Sequence, residues 1–97
     1  MSDDLGFAAP PFDPAQALLQ LQRAMRDCKL AARGTGFELR GKAVVTLEIE
    51  GAAIAARVVR RLASTPEWDR YTVKNAADQR KLIDEVKKRL VRWTDED

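Results

Sequence analysis

Histidine is absent from this 97-residue chain, and cysteine occurs once, at Cys28. Without histidine there is no Ser-His-Asp or Cys-His catalytic arrangement, and the residue types that build most zinc sites are nearly missing. A single cysteine also excludes a disulfide within the chain. We therefore expect a non-catalytic protein with no metal and no cofactor, in which Cys28 is a small buried apolar residue.

Long apolar runs are also missing, so the sequence contains no stretch of transmembrane length. The first four residues, Met1-Ser2-Asp3-Asp4, are acidic where a signal peptide would be basic. By elimination we expect a cytoplasmic protein with no membrane partner.

Charge is abundant but nearly balanced, with 17 basic and 15 acidic residues and a net charge of +2. Residues 37–93 carry 13 basic and 8 acidic side chains, whereas three of the last four residues are acidic. This surplus is compatible with an anionic partner but is smaller than nucleic-acid-binding domains usually concentrate on one face.

The length and a hydrophobic content of 45% fit one globular domain. Pro10 and Pro11 favour extended backbone, so we interpret residues 1–12 as a flexible N-terminal tail. The domain itself is predicted to span residues 13–93, followed by an acidic C-terminal tail over 94–97. The pattern leaves open whether the apolar residues of the N-terminal tail pack against the domain.

A first helix is predicted over residues 14–33. Asp13 is a suitable N-cap, and Pro14 fits the first helical position. Apolar residues then recur at spacings of three and four, and Gly34 and Gly36 are interpreted as the stop signal. The apolar stripe consists of Leu18, Leu21, Met25, Cys28 and Ala32.

From Phe37 the apolar period changes to two, which predicts a strand with one buried face. The odd-numbered residues form that face: Phe37, Leu39, Ala43, Val45, Leu47 and Ile49. Gly41 interrupts the pattern, so residues 37–49 form either one kinked strand or two strands with a turn, and parity favours the kink or a three-residue turn at Arg40–Lys42.

A second turn at Gly51-Ala52 predicts a hairpin that pairs Glu50 with Ala53. This register also places Ile49 opposite Ile54, Leu47 opposite Ala56 and Val45 opposite Val58, so apolar residues meet on one face. A turn at Glu50-Gly51 keeps the same faces but slides the pairs by two. Val44 and Val59 fall on the other face, which we expect to be exposed.

Trp68 to Lys74 alternates like a short strand, and Asn75 is a suitable cap for a last helix over 76–93. The fold class is therefore α+β. We expect a two-layer α/β sandwich in the order helix, three or four antiparallel strands, helix, with both helices on one face of the sheet.

The α-β-β-β-α order is similar to that of double-stranded RNA-binding domains. That family opens its second helix with lysines that contact phosphates. The matching stretch here, Asn75-Ala76-Ala77-Asp78, has no positive charge before Arg80. The resemblance therefore implies a topology and no RNA contact.

The outer sheet face is the candidate partner surface, because it combines arginines with an aromatic residue. Its residues are Arg40, Lys42, Arg57, Arg61, Trp68 and Arg70. We expect a domain that mediates protein–protein interaction, either with another protein or with a second copy of itself. The alternative is a weak nucleic-acid-binding domain that uses this face and the basic last helix, in which case binding would fall steeply with salt.

Overall fold

The computed structural model describes residues 12–95, which form two helices and five strands. In chain order these are α1 (Pro14–Asp27), β1 (Ala31–Arg33), β2 (Gly36–Leu39), β3 (Lys42–Glu50), β4 (Ala53–Val59), β5 (Trp68–Val73) and α2 (Ala76–Asp95). The strands form one antiparallel sheet in the order β1-β2-β3-β4-β5. The predicted α+β class is confirmed, with five strands instead of three or four.

Both helices lie on the same face of the sheet. α1 contacts α2 and β3, and α2 contacts β5. The side-chain amide of Gln79 on α2 donates to Gln20 on α1 at 2.8 Å. The core lies between these layers and includes fully buried Leu21, Val45 and Val86. Of residues 12–95, no helix is long and apolar enough to cross a bilayer.

Both helices begin at the predicted caps. Asp13 Oδ1 accepts from the backbone N–H of Ala15 at 3.1 Å, and Asn75 Oδ1 accepts from that of Asp78 at 2.8 Å. α2 continues to Asp95, two residues beyond its predicted end. Residues 1–11 and 96–97, which make up most of the two predicted tails, lie outside the described residues.

The first helix ends six residues earlier than predicted, at Asp27. Lys29 adopts a left-handed backbone conformation with φ 69°. The Lys29 N–H bonds to the carbonyl of Arg26 and the Leu30 N–H to that of Met25, as in a Schellman motif. The chain after Leu30 instead forms a β1–β2 hairpin, so Ala32 lies in a strand and the Gly34–Gly36 segment is not a helix stop.

Residues 37–49 form two strands, joined by a two-residue turn at Arg40-Gly41. Both turn residues have positive φ, 55° and 80°, as a type I′ turn requires. The preference for a kink or a three-residue turn is therefore wrong. The odd-numbered spacing of the apolar residues gave the wrong turn because β3 contains a bulge. Phe37 pairs with Val45 but Glu38 pairs with Ala43, which leaves Val44 as the extra residue.

The β3–β4 hairpin has the predicted register. Glu50 pairs with Ala53, and Val45 pairs with Val58. Ile49 was expected in the core, but it is 46% exposed while its partner Ile54 is fully buried. Ile49 lies two residues before the Gly51 turn.

Val44 and Val59 were expected on an exposed face, yet both are buried, with exposed fractions of 0% and 1%. The bulge breaks the alternation at Val44. β4 has no such irregularity, so Val59 and its buried neighbour Val58 lie on opposite faces. Trp68 pairs with Val59 and is itself half-buried against the core. At this end, therefore, both faces of the sheet are covered.

Replacing Val44 by alanine should accordingly lower the free energy of unfolding by about 1.5–3 kcal/mol, the range for a fully buried valine side chain. Ile49→Ala, on the same strand but at a half-exposed position, is the control and should cost less. Urea denaturation of both variants measures this. A smaller loss at Val44 than at Ile49 would contradict the burial of the bulge.

Candidate functional site

Two of the six residues predicted to form a partner surface lie side by side. Arg57 and Arg70 are cross-strand partners on β4 and β5. They line a shallow depression together with Glu48 and Glu50. The acidic side chains reduce the positive potential of this part of the outer face.

Trp68 lies on the same outer face, because its partner Val59 is two positions along β4 from Arg57. The other three residues lie elsewhere. Arg40 is in the β2–β3 turn. Lys42 pairs with Leu39, and Leu39 lies two positions after the buried Phe37 on β2. Side chains alternate along a strand, so Leu39 and Lys42 lie on the face that the helices cover. Arg61 follows β4 and lines a cavity beside α2. The six residues therefore do not form one continuous surface.

Arg89 on α2 is the best-connected polar side chain of the described region. It is 9% exposed, and each of its five N–H groups has an acceptor. The acceptors are Glu85 Oε2 at 2.7 Å for Nε, the carbonyl oxygens of Val58 and Val59 at 3.2 and 3.3 Å for Nη1, and Tyr71 Oη at 2.9 Å and Asp69 Oδ2 at 2.8 Å for Nη2. Arg89 thus ties α2 to the end of β4 and to β5.

The charges around Arg89 stabilise one another. Burial alone would lower the pKa of Arg89, but hydrogen bonds to Glu85 and Asp69 outweigh burial and raise that pKa. Hydrogen bonds from Arg60, at 2.9 Å, and from Arg89 hold the pKa of Asp69 below its ordinary value. Arg89 and Asp69 therefore stay charged at neutral pH.

By its charge alone, Arg89 is one of the basic residues of the last helix and is expected on a solvent-exposed face. A usable signal was present, because Arg89 continues the buried series of α2 at spacings of three and four. That series is Leu82, Val86, Arg89 and Trp93. An arginine within an apolar stripe indicates a buried, paired guanidinium.

A groove of about 480 Å³ runs between the edge strand β5 and α2, and we call it the β5–α2 groove. Its lining residues are Tyr71, Thr72, Val73, Asp78, Lys81, Leu82, Asp84, Glu85 and Lys88. β5 pairs with β4 on one side only, so its other edge borders this groove. An unpaired edge of this kind can accept another strand.

A second cavity of about 400 Å³ lies beside the other end of β5, and we call it the arginine cavity. It is lined by Arg60, Arg61, Glu67, Asp69, Arg89 and Arg92. Neither Arg61 nor Arg92 has a carboxylate partner within residues 12–95.

Cys28 is buried, as predicted, at the C-cap of α1. Burial raises the pKa of its thiol. Within the described part of the chain, no three His, Cys, Asp or Glu side chains are grouped so that they would hold a metal ion.

No protein-family model, no curated protein and no solved structure matches this chain.

Proposed function

We propose that this chain is a non-catalytic interaction domain that associates with a second copy of itself through the β5–α2 groove. The observation that carries the proposal is the groove itself, in which an unpaired strand edge lies beside a helix face of mixed charge. The strand supplies backbone hydrogen-bonding groups, and the helix supplies specificity.

The strand and the helix are matched in length and run in opposite directions. Asp78 on α2 lines the same groove as Val73, whereas Arg89 on α2 contacts Asp69. The ten-residue rise from Asp78 to Lys88 is about 15 Å, and five strand residues span about 15 Å. A twofold axis through the middle of β5 is therefore level with the middle of this helix segment, which is Ile83.

The charges on this helix face are self-complementary about such an axis. Asp78 and Lys88 lie five positions on either side of Ile83, and Lys81 and Glu85 lie two positions on either side. When two antiparallel helices meet with Ile83 level with Ile83, Asp78 faces Lys88 and Glu85 faces Lys81 of the second copy. The third groove acid, Asp84, falls opposite Leu82. A twofold interface requires this kind of self-complementarity.

The nucleic-acid alternative has less support. Its proposed surface is divided, since Lys42 lies on the opposite side from Arg57 and Arg70. Glu48 and Glu50 lie beside those two arginines. We therefore propose self-association ahead of it.

Sedimentation equilibrium over a concentration series tests the proposal. We expect wild-type chain to reach twice its mass of 10.9 kDa. Lys88→Glu would place a carboxylate opposite Asp78 of the second copy at two symmetric positions. It should weaken the dimer at least about tenfold, equivalent to about 1.4 kcal/mol.

Lys87→Glu is the matched control, because it makes the same change in charge on the same helix but outside the β5–α2 groove. It should leave the dimer unchanged. A wild-type chain that stays monomeric at millimolar concentration would refute self-association. Equal dissociation constants for Lys88→Glu and wild type would place the interface elsewhere and refute this site.

A further inference from the structure

The arginine cavity contains more positive charge than its own acids neutralise. Four arginines line it, against the two acids Glu67 and Asp69. Its lining differs completely from that of the β5–α2 groove, so it is a separate feature of the surface.

Asp69 and Arg89 already use their hydrogen-bonding groups within the fold, so they are not free to bind a ligand. Asp69 uses both carboxylate oxygens, Oδ1 for Arg60 at 2.9 Å and Oδ2 for Arg89 at 2.8 Å. Arg89 has no remaining N–H donor, because its five are used within the fold. The carboxylate of Glu67 lies 3.8 Å from Arg60, and the side chain of Glu67 is 76% exposed.

Arg61 and Arg92 are different, since neither has a carboxylate partner within residues 12–95. Two guanidinium groups that face one cavity repel each other, and an anion between them offsets that repulsion. Arginine recognises phosphate with two parallel hydrogen bonds, which makes phosphate a better match than a single-charge ligand.

We infer that the arginine cavity binds a phosphate group, with Arg61 and Arg92 as its direct ligands. Arg60 has an exposed side chain and adds positive charge to the cavity. The ion pair between Asp69 and Arg89 holds the side chains on one side of the cavity in place. The cavity volume of about 400 Å³ falls within the range of small-molecule sites, roughly 300–1,000 Å³. It therefore has room for a phosphomonoester of a small molecule as well as for inorganic phosphate.

Isothermal titration calorimetry with inorganic phosphate and with glycerol 3-phosphate tests this inference, with glycerol as the uncharged control. We expect both phosphates to bind at concentrations up to about 10 mM and glycerol not to bind. Tighter binding of glycerol 3-phosphate would identify a phosphomonoester as the ligand. Equal affinity would identify the phosphate group alone.

Arg61→Gln and Arg92→Gln should each weaken phosphate binding at least about tenfold, in the range of a charge-assisted hydrogen bond. Arg57→Gln is the matched control, because it removes the same charge from the outer sheet face. An equal loss in Arg57→Gln, or no phosphate binding to wild type, would refute the site. Tighter binding of a single-stranded oligonucleotide, lost in Arg57→Gln, would also refute it and favour the nucleic-acid alternative.

Discussion

Arg89→Met is expected to lower the free energy of unfolding by about 3–5 kcal/mol, the usual cost of removing one partner from a buried ion pair. Methionine fills much of the arginine volume, so packing is largely kept. The substitution leaves the carboxylates of Glu85 and Asp69 and the carbonyls at the end of β4 without their donor. Urea denaturation at neutral pH measures the loss.

Arg89→Lys provides the control for charge. Lysine keeps the positive charge, but its three donors cannot reach the five acceptors of Arg89. We expect Arg89→Lys to lower the free energy of unfolding, but by less than Arg89→Met does. If Arg89→Met lowers the free energy of unfolding by less than about 1 kcal/mol, the Arg89 network contributes no more than an exposed surface ion pair. That result would contradict its role as a buried ion pair.

The stability that is lost in Arg89→Met should depend on pH. The pKa of Asp69 lies below its ordinary value of 3.8 in the folded state. A group of this kind stabilises the fold above its ordinary pKa, and that contribution is lost as the pH falls through the folded-state pKa. Removal of Arg89 takes away part of this contribution, so the difference between wild type and Arg89→Met should be larger near pH 7 than near pH 2.

Trp93→Ala is expected to cost about 3–5 kcal/mol, because Trp93 is fully buried near the end of α2. The Nε1–H of Trp93 has no hydrogen-bond partner among the described residues. Trp93→Phe removes that unpaired donor while it keeps most of the apolar area, and an unpaired buried donor costs about 1–3 kcal/mol.

Trp93→Phe should therefore cost less than half as much as Trp93→Ala in chemical denaturation. If the two variants lose equal stability, the indole N–H contributes to the fold through a bond that Phe cannot replace. That result would contradict the account of Trp93 as an apolar anchor with an unpaired donor.

The parts of the fold that the sequence predicted correctly are those fixed by local chemistry. The β3–β4 register follows from the turn at Gly51 and the alternating apolar residues on both strands. The N-termini of both helices follow from the capping side chains of Asp13 and Asn75. In each case the signal and the structure it specifies lie within a few residues.

The parts that were missed depend on backbone choices without a local signal. Lys29 ends α1 in a conformation usually taken by glycine, so the helix was predicted too long. The bulge at Val44 reverses the parity of the preceding residues, so parity favoured a kink or a three-residue turn over the two-residue turn that forms.

The candidate site was missed for a different reason. The β5–α2 groove exists because β5 is an edge strand, and strand order is a property of the whole sheet. The arginine cavity likewise brings Arg61, after β4, beside Arg92 near the end of α2. The predicted outer surface assumed that Val59 and Arg61 shared one exposed face, whereas Val59 is buried.

The most direct test of self-association through the β5–α2 groove is a mixing experiment with two charge-reversed variants. Lys88→Glu and Asp78→Lys each place like charges opposite one another across the proposed twofold axis. In a mixed dimer, Asp78 of the first variant faces Lys88 of the second, and Glu at 88 faces Lys at 78. Asp78→Lys also loses the bond from the Lys74 N–H, which costs about 1 kcal/mol, so thermal unfolding must first show that it is folded.

We predict by sedimentation equilibrium that each variant alone is predominantly monomeric and that their equimolar mixture forms dimers. A mixture that remains monomeric, while wild-type chain dimerises under the same conditions, would contradict the proposed interface.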